Sequence, residues 1–202
     1  MTFVYKLISI VLHPLLMCTY FFLLLMYGLP SILLPARPSW WMILLIFITT
    51  CALPVANFLF LRLTGSVTDL TLPHRRQRLL PFIFIAVVYV FVTIMFYWKF
   101  PILNLLKLMT IITTLTIVAT VITFFYKVSV HSLAVWGAIG MLLPLNRMSE
   151  ENLLLVPTAG AILLAGLAMT SRLALNAHTP REVMLGGVVG LACGFFGLIL
   201  LF

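Results

Sequence analysis

The sequence predicts an all-α fold: a polytopic transmembrane helical bundle of about six or seven spans, with residues 1–202 forming one integral membrane domain. Three observations carry that prediction. Of 202 residues, 64% are hydrophobic and 8% charged, whereas a soluble domain carries about 25% charged residues. The mean hydropathy is +1.25, so there are too few polar side chains to coat the chain in water. Apolar stretches recur at the length of about 20 residues that a helix needs to cross a bilayer. Within lipid each backbone must satisfy its own hydrogen bonds, and weak apolar/polar alternation argues against a barrel.

The first stretch runs from Leu7 to about Leu34, with Pro14, Gly28 and Pro30 kinking or ending its helix. Lys6 followed by apolar residues resembles a signal peptide. The stretch is longer than a usual signal core and lacks a small-x-small cleavage site, so it reads as a retained helix. The second span covers Ser39 to Leu61, with Trp40 and Trp41 as interface anchors. A polar interval, 62–78, precedes the third, Leu79 to Trp98. The fourth ends at Tyr126, with Lys107 snorkelling near its start. The fifth is Val128 to Asn146, the sixth Asn152 to Thr170, and the last Val183 to Phe202. Gly186, Gly187, Gly190, Gly194 and Gly197 give that last span a small-residue face for close packing, within the chain or between subunits.

Counting spans has a consequence. The polar stretches 62–78, 127–131 and 171–182 are each separated by an even number of crossings, so all three emerge on one membrane face. These stretches gather the histidines, arginines and small polar residues. Cys18, Cys51 and Cys193 lie in apolar segments, form no CxxC, and read as small buried hydrophobes rather than as disulfide or metal ligands.

In the last stretch, Arg172 offers a fork of donors suited to phosphate. His178 is a candidate base or nucleophile, and Glu182 a candidate to orient it. Thr179-Pro180-Arg181-Glu182 is also a capping box; the two roles for Glu182 are compatible. Ser129 caps a helix or binds an anion, and His131 is an interfacial or catalytic histidine. Helix starts after Ser129 and Thr179 would both aim N–H groups at the shared face. Arg75 and Arg76 read first as lipid-headgroup contacts, and Arg78, beside the third span, as the better phosphate ligand.

The order of a basic loop, Ser129-x-His131 and Ser171-Arg172-x5-His178-x3-Glu182 resembles the type 2 phosphatidic acid phosphatase superfamily. Its motifs are Lys-x6-Arg-Pro, Pro-Ser-Gly-His and Ser-Arg-x5-His-x3-Asp. The third matches with Glu182 for Asp. The second keeps Ser129 and His131 but has Val128 and Val130 for Pro and Gly. In the first, Thr71 stands where lysine is expected, and the proline is Pro81. The motif region is 69–182. The resemblance implies a metal-independent, cofactor-free hydrolase of lipid phosphates or diphosphates. His178 would form a phosphohistidine, Glu182 would orient it, and His131 would serve the leaving oxygen and then water. Arg172, Arg78, Ser129, Ser171, and Arg75 or Arg76 would hold phosphoryl oxygens.

The resemblance also implies a lipid phosphate substrate, membrane lipids as surroundings, no nucleic-acid partner, and a bacterial plasma (inner) membrane. Two other readings stay open. One is a catalytically inactive lipid-binding or scaffolding protein of the same fold, which the incomplete first motif favours. The other is a small transporter, which the nearly uncharged span interiors disfavour. Net charge is +8, and most cations fall on the site face. The positive-inside rule puts that face in the cytoplasm, whereas bacterial relatives usually work at the outer face.

Overall fold

The computed structural model describes residues 2–29, 40–66, 75–100, 102–149 and 152–202, with the backbone alone at 75–77. The helices are α1 (Thr2–Val11), α2 (Pro14–Gly28), α3 (Trp40–Phe47), α4 (Leu53–Leu63), α5 (Arg75–Lys99), α6 (Leu103–Phe125), α7 (Val130–Met148), α8 (Leu155–Ala174) and α9 (Pro180–Leu201). Five described helices are long and apolar enough to cross a membrane, or six if the bent α1–α2 pair is one span. The chain is an integral membrane protein.

The expected first span is two helices, bent by 56° at their junction. Pro14 has no N–H to continue α1, and it opens α2 at the first helical position. His13 caps that start, its Nδ1 accepting from Leu15 N at 3.3 Å. The second span is one long helix, Trp40–Leu63, with a π-helical turn at Ile48–Ala52 joining α3 to α4. Pro54 cannot donate to the Thr50 carbonyl, and Tyr89 of α5 donates its hydroxyl to that oxygen at 3.0 Å. α5 starts earlier than expected, at Arg75. Threonines join it to α6: Thr93 Oγ1 lies 2.7 Å from Thr113 Oγ1, and Thr120 donates to the Phe82 carbonyl.

α7, the expected fifth span, is not among the five helices long and apolar enough to cross, because His131, Ser132, Asn146 and Arg147 lower its apolar character. It packs against α2, α6, α8 and α9, so protein, not lipid, surrounds most of it. The glycines of α9 pack within the chain. A Cβ added at Gly190 would collide with the Leu133 carbonyl, and one at Gly194 with the Gly137 carbonyl. Gly140 of α7 is equally close to α9, where a Cβ would lie 2.5 Å from the Leu191 carbonyl. Backbone therefore lies against backbone along the α7–α9 contact, as small residues permit.

The core is filled by Phe22, Leu25, Ile46, Phe96, Leu105, Leu108, Leu142 and Leu145. Trp40, Trp41, Tyr97 and Trp98 are exposed at the end where α3 begins and α5 stops. Lys107 lies over the Phe202 ring at 4.7 Å, so its charge has an aromatic partner as well as a route to water.

Candidate active site

At the other end, where α6 and α8 stop and α7 and α9 start, lies a cavity of about 900 Å³. Arg78, Lys127, His131, Arg172 and His178 all line it. The three polar stretches thus meet at one end of the bundle. From His131 to Met141, both on the wall, is ten residues of α7, a depth of about 15 Å at 1.5 Å per residue. Phe82, Ile85, Ile112 and Leu115 line the cavity with Met141. Cations at the mouth and hydrocarbon further in suit an amphiphile with an anionic head.

His178 is placed by the end of α8. Asn176 adopts φ 50°, a left-handed conformation that asparagine tolerates. Ala177 N then bonds back to the Arg172 carbonyl at 3.1 Å and Asn176 N to that of Leu173 at 2.9 Å. This closes the helix end and turns the chain back over the cavity. Lys127 Nζ holds the turn by donating to the Ala177 carbonyl at 3.0 Å.

His178 Nδ1 is 2.6 Å from Glu182 Oε2, and its side chain is 2% exposed. The same carboxylate oxygen accepts from Thr179 N at 3.4 Å, while Thr179 Oγ1 accepts from Glu182 N. Glu182 therefore contacts the imidazole and closes the capping box with the same oxygen. Burial holds His178 below its ordinary range, to about 4; the Glu182 bond opposes that shift, and the Arg78 and Arg172 charges add to it. At neutral pH the imidazole is uncharged. The carboxylate fixes the proton on Nδ1 and leaves the lone pair on Nε2.

Arg172 sits in the last turn of α8 rather than in a loop, where a cation complements the helix dipole. Its Nη1 donates to Ser9 Oγ at 2.7 Å. Its Nε is buried and has no hydrogen-bond partner among the described residues. His131 Nε2 lies 3.1 Å from the Ser9 carbonyl, an acceptor only, so that nitrogen carries a proton. Arg78 is 6% exposed, within the wall.

Two expected ligands sit elsewhere. Ser171 is fully buried and donates to the Ala168 carbonyl of its own helix at 2.7 Å, so the structure does not bring it to the cavity. Ser129 is likewise fully buried; it caps α7, its Oγ accepting from Ser132 N at 3.5 Å. Its own N–H donates to the Glu182 carbonyl at 3.1 Å, tying the starts of α7 and α9 together. The side chains of Arg75 and Arg76 lie outside the described residues, as does Thr71.

The PAP2 superfamily model matches residues 123–202, the stretch holding Ser129, His131, Arg172, His178 and Glu182. Over those residues the chain is similar to the PAP2 superfamily. Proteins of this superfamily generally hydrolyse phosphate esters. The match covers the end of α6 and all of α7, α8 and α9, and residues 1–122 lie outside it. No curated protein and no solved structure matches the chain.

Residues that the motifs do not include also line the cavity: Lys6 and Ser9 of α1, and His13 at the bend. Their sequence signal is a polar stripe at i, i+3 and i+7 in an otherwise apolar helix.

Proposed function

We propose that the chain is a PAP2 superfamily member and a metal-independent lipid phosphatase of the bacterial inner membrane, working through a phosphohistidine at His178. One observation carries the reading: Arg172 keeps a buried, unpartnered Nε beside the His178–Glu182 pair. Leaving such a donor unsatisfied costs about 1–3 kcal/mol, and a phosphoryl oxygen removes that cost when it binds. The apolar depth of the cavity supports a lipid substrate. Phosphatidate, phosphatidylglycerophosphate and a polyprenyl diphosphate all fit this chemistry.

In this mechanism His178 Nε2 attacks phosphorus as the bond to the leaving oxygen breaks. Protonated His131 gives that oxygen its proton; the phosphoryl charge favours the imidazolium form. Neutral His131 then takes a proton from water, which attacks phosphorus and breaks the P–N bond. Inorganic phosphate leaves and both histidines return to their starting states. Arg172 and Arg78 stabilise charge on the equatorial oxygens, where phosphoryl transfer needs it. Glu182 keeps the His178 lone pair aimed at phosphorus and offsets the positive charge that develops on the ring.

The test is phosphate release from detergent-solubilised lipid monophosphates and diphosphates, with and without chelator. Turnover that persists in chelator and vanishes in His178→Ala supports the reading. Turnover abolished by chelator, or retained by His178→Ala, overturns it. A folded protein that binds lipid phosphate without turnover would support the binding or scaffolding alternative.

A further inference from the structure

The hydrogen bond from Arg172 leads outside the motifs, to a helix that the family match does not cover. Ser9 of α1 is buried and touches both machinery residues. Its Oγ accepts from Arg172 Nη1 at 2.7 Å and lies 3.3 Å from His131 Nε2, and its carbonyl is 3.1 Å from that nitrogen. Lys6 stands one turn earlier and His13 one turn later. All three line the cavity, and the His13 ring meets that of His131 edge-on at 5.4 Å. Phe3, Val4 and Leu7 are exposed on the other faces of α1, while Ile10 reaches the cavity wall. The helix thus turns its polar stripe to the cavity, with Ser9 buried and Lys6 exposed at the mouth, and most of its apolar surface away.

The sequence supplies an independent reason to look here. Thr71 stands where the resemblance expects a lysine, so that position carries no cation. We propose that α1 is part of the phosphoryl-binding site, with Lys6 binding a phosphoryl oxygen in place of that lysine and Ser9 positioning Arg172 and His131. The proposal rests on the hydrolase reading above.

The physical argument concerns orientation. A guanidinium has five donors in one plane. With Nη1 fixed on Ser9 Oγ, the plane is fixed, and Nε and Nη2 remain as a fork for two oxygens. The Ser9 carbonyl fixes the His131 ring in the same way. Lys6 is a point charge on a flexible stem, able to follow a phosphoryl group as its geometry changes.

The experiment uses the full chain in detergent with dioctanoyl phosphatidate as substrate and inorganic phosphate as competing ligand. Lys6→Met is expected to raise KM and weaken phosphate inhibition about tenfold, the size of one charge-assisted bond. It should lower kcat less than it raises KM, and Lys6→Arg should restore most of the loss. Ser9→Ala is expected to lower kcat about tenfold and move the pH profile of kcat, with Ser9→Thr restoring both. Lys6 is exposed, so Lys6→Met keeps the fold and carries the test even if Ser9→Ala melts early. Parent-like KM and phosphate inhibition in Lys6→Met overturn the proposal, and so does a Ser9→Ala pH profile that matches the parent. His178→Ala is measured alongside: if it stays active, the hydrolase reading fails; if it is dead while the α1 variants are parent-like, only the α1 proposal fails.

Discussion

His178 Nδ1 and Glu182 Oε2 lie 2.6 Å apart across the cap of α9, His178 just before the helix and Glu182 in its first turn. The same carboxylate oxygen closes the capping box. One side chain thus starts the helix and holds the imidazole.

Glu182→Gln separates these roles. Glutamine at this position still serves a capping box, but it carries no charge to hold the proton on Nδ1. Its kcat is expected to fall at least about 100-fold with the melting temperature nearly unchanged. Glu182→Asp, which restores the usual family residue, is expected to stay active. Steady-state kinetics beside a detergent melt checks both.

The acid limb of kcat/KM should lie well below pH 6.5. His178 must be neutral to attack, and burial lowers its pKa to about 4. The sign for stability follows from the same shift. The folded protein binds fewer protons here than the unfolded chain, so stability present above pH 6.5 is lost as pH falls toward 4. Melts of the parent and His178→Gln across that window test this; the variant should lose less stability on acidification.

Ser171→Ala should leave kcat/KM within about twofold of the parent. Among the described residues its hydroxyl bonds only to the Ala168 carbonyl, and removing such a bond costs about 1 kcal/mol of stability. A large kinetic loss would mean that this hydroxyl reaches the phosphoryl group after all.

Gly194→Ala should damage both fold and turnover. The added Cβ collides with the backbone carbonyl of Gly137, which cannot rotate away as a side chain can. Overpacking of this kind costs about 1–3 kcal/mol. It pushes apart α7, which carries His131, and α9, whose first turn carries Glu182, the partner of His178. Gly160→Ala is the control, because a Cβ there meets nothing within 4 Å.

Much of this was legible in the sequence, for identifiable reasons. The His178–Glu182 pair is four residues apart across the capping box of α9, and that box is itself a sequence signal. The convergence of Arg78, His131 and Arg172 followed from counting crossings. Ser171 came from the motif resemblance alone, and spacing gave no sign that its hydroxyl bonds back to its own helix, as a serine in a helix can. The Pro14 bend was visible as a proline, but its effect on direction was not: 56° depends on how α1 packs against α8. Ser9 was missed because its partners, His131 and Arg172, are 122 and 163 residues away.

The backbone contact between α7 and α9 also predicts how the chain tolerates change. Where main chain touches main chain, no substitution at Gly190 or Gly194 can be absorbed by a neighbour adopting another rotamer. A random library screened for turnover should therefore be nearly invariant along that seam. On the outward side of α5, exposed Phe91 and Ile94 should drift freely among apolar types, because fluid lipid fits any of them.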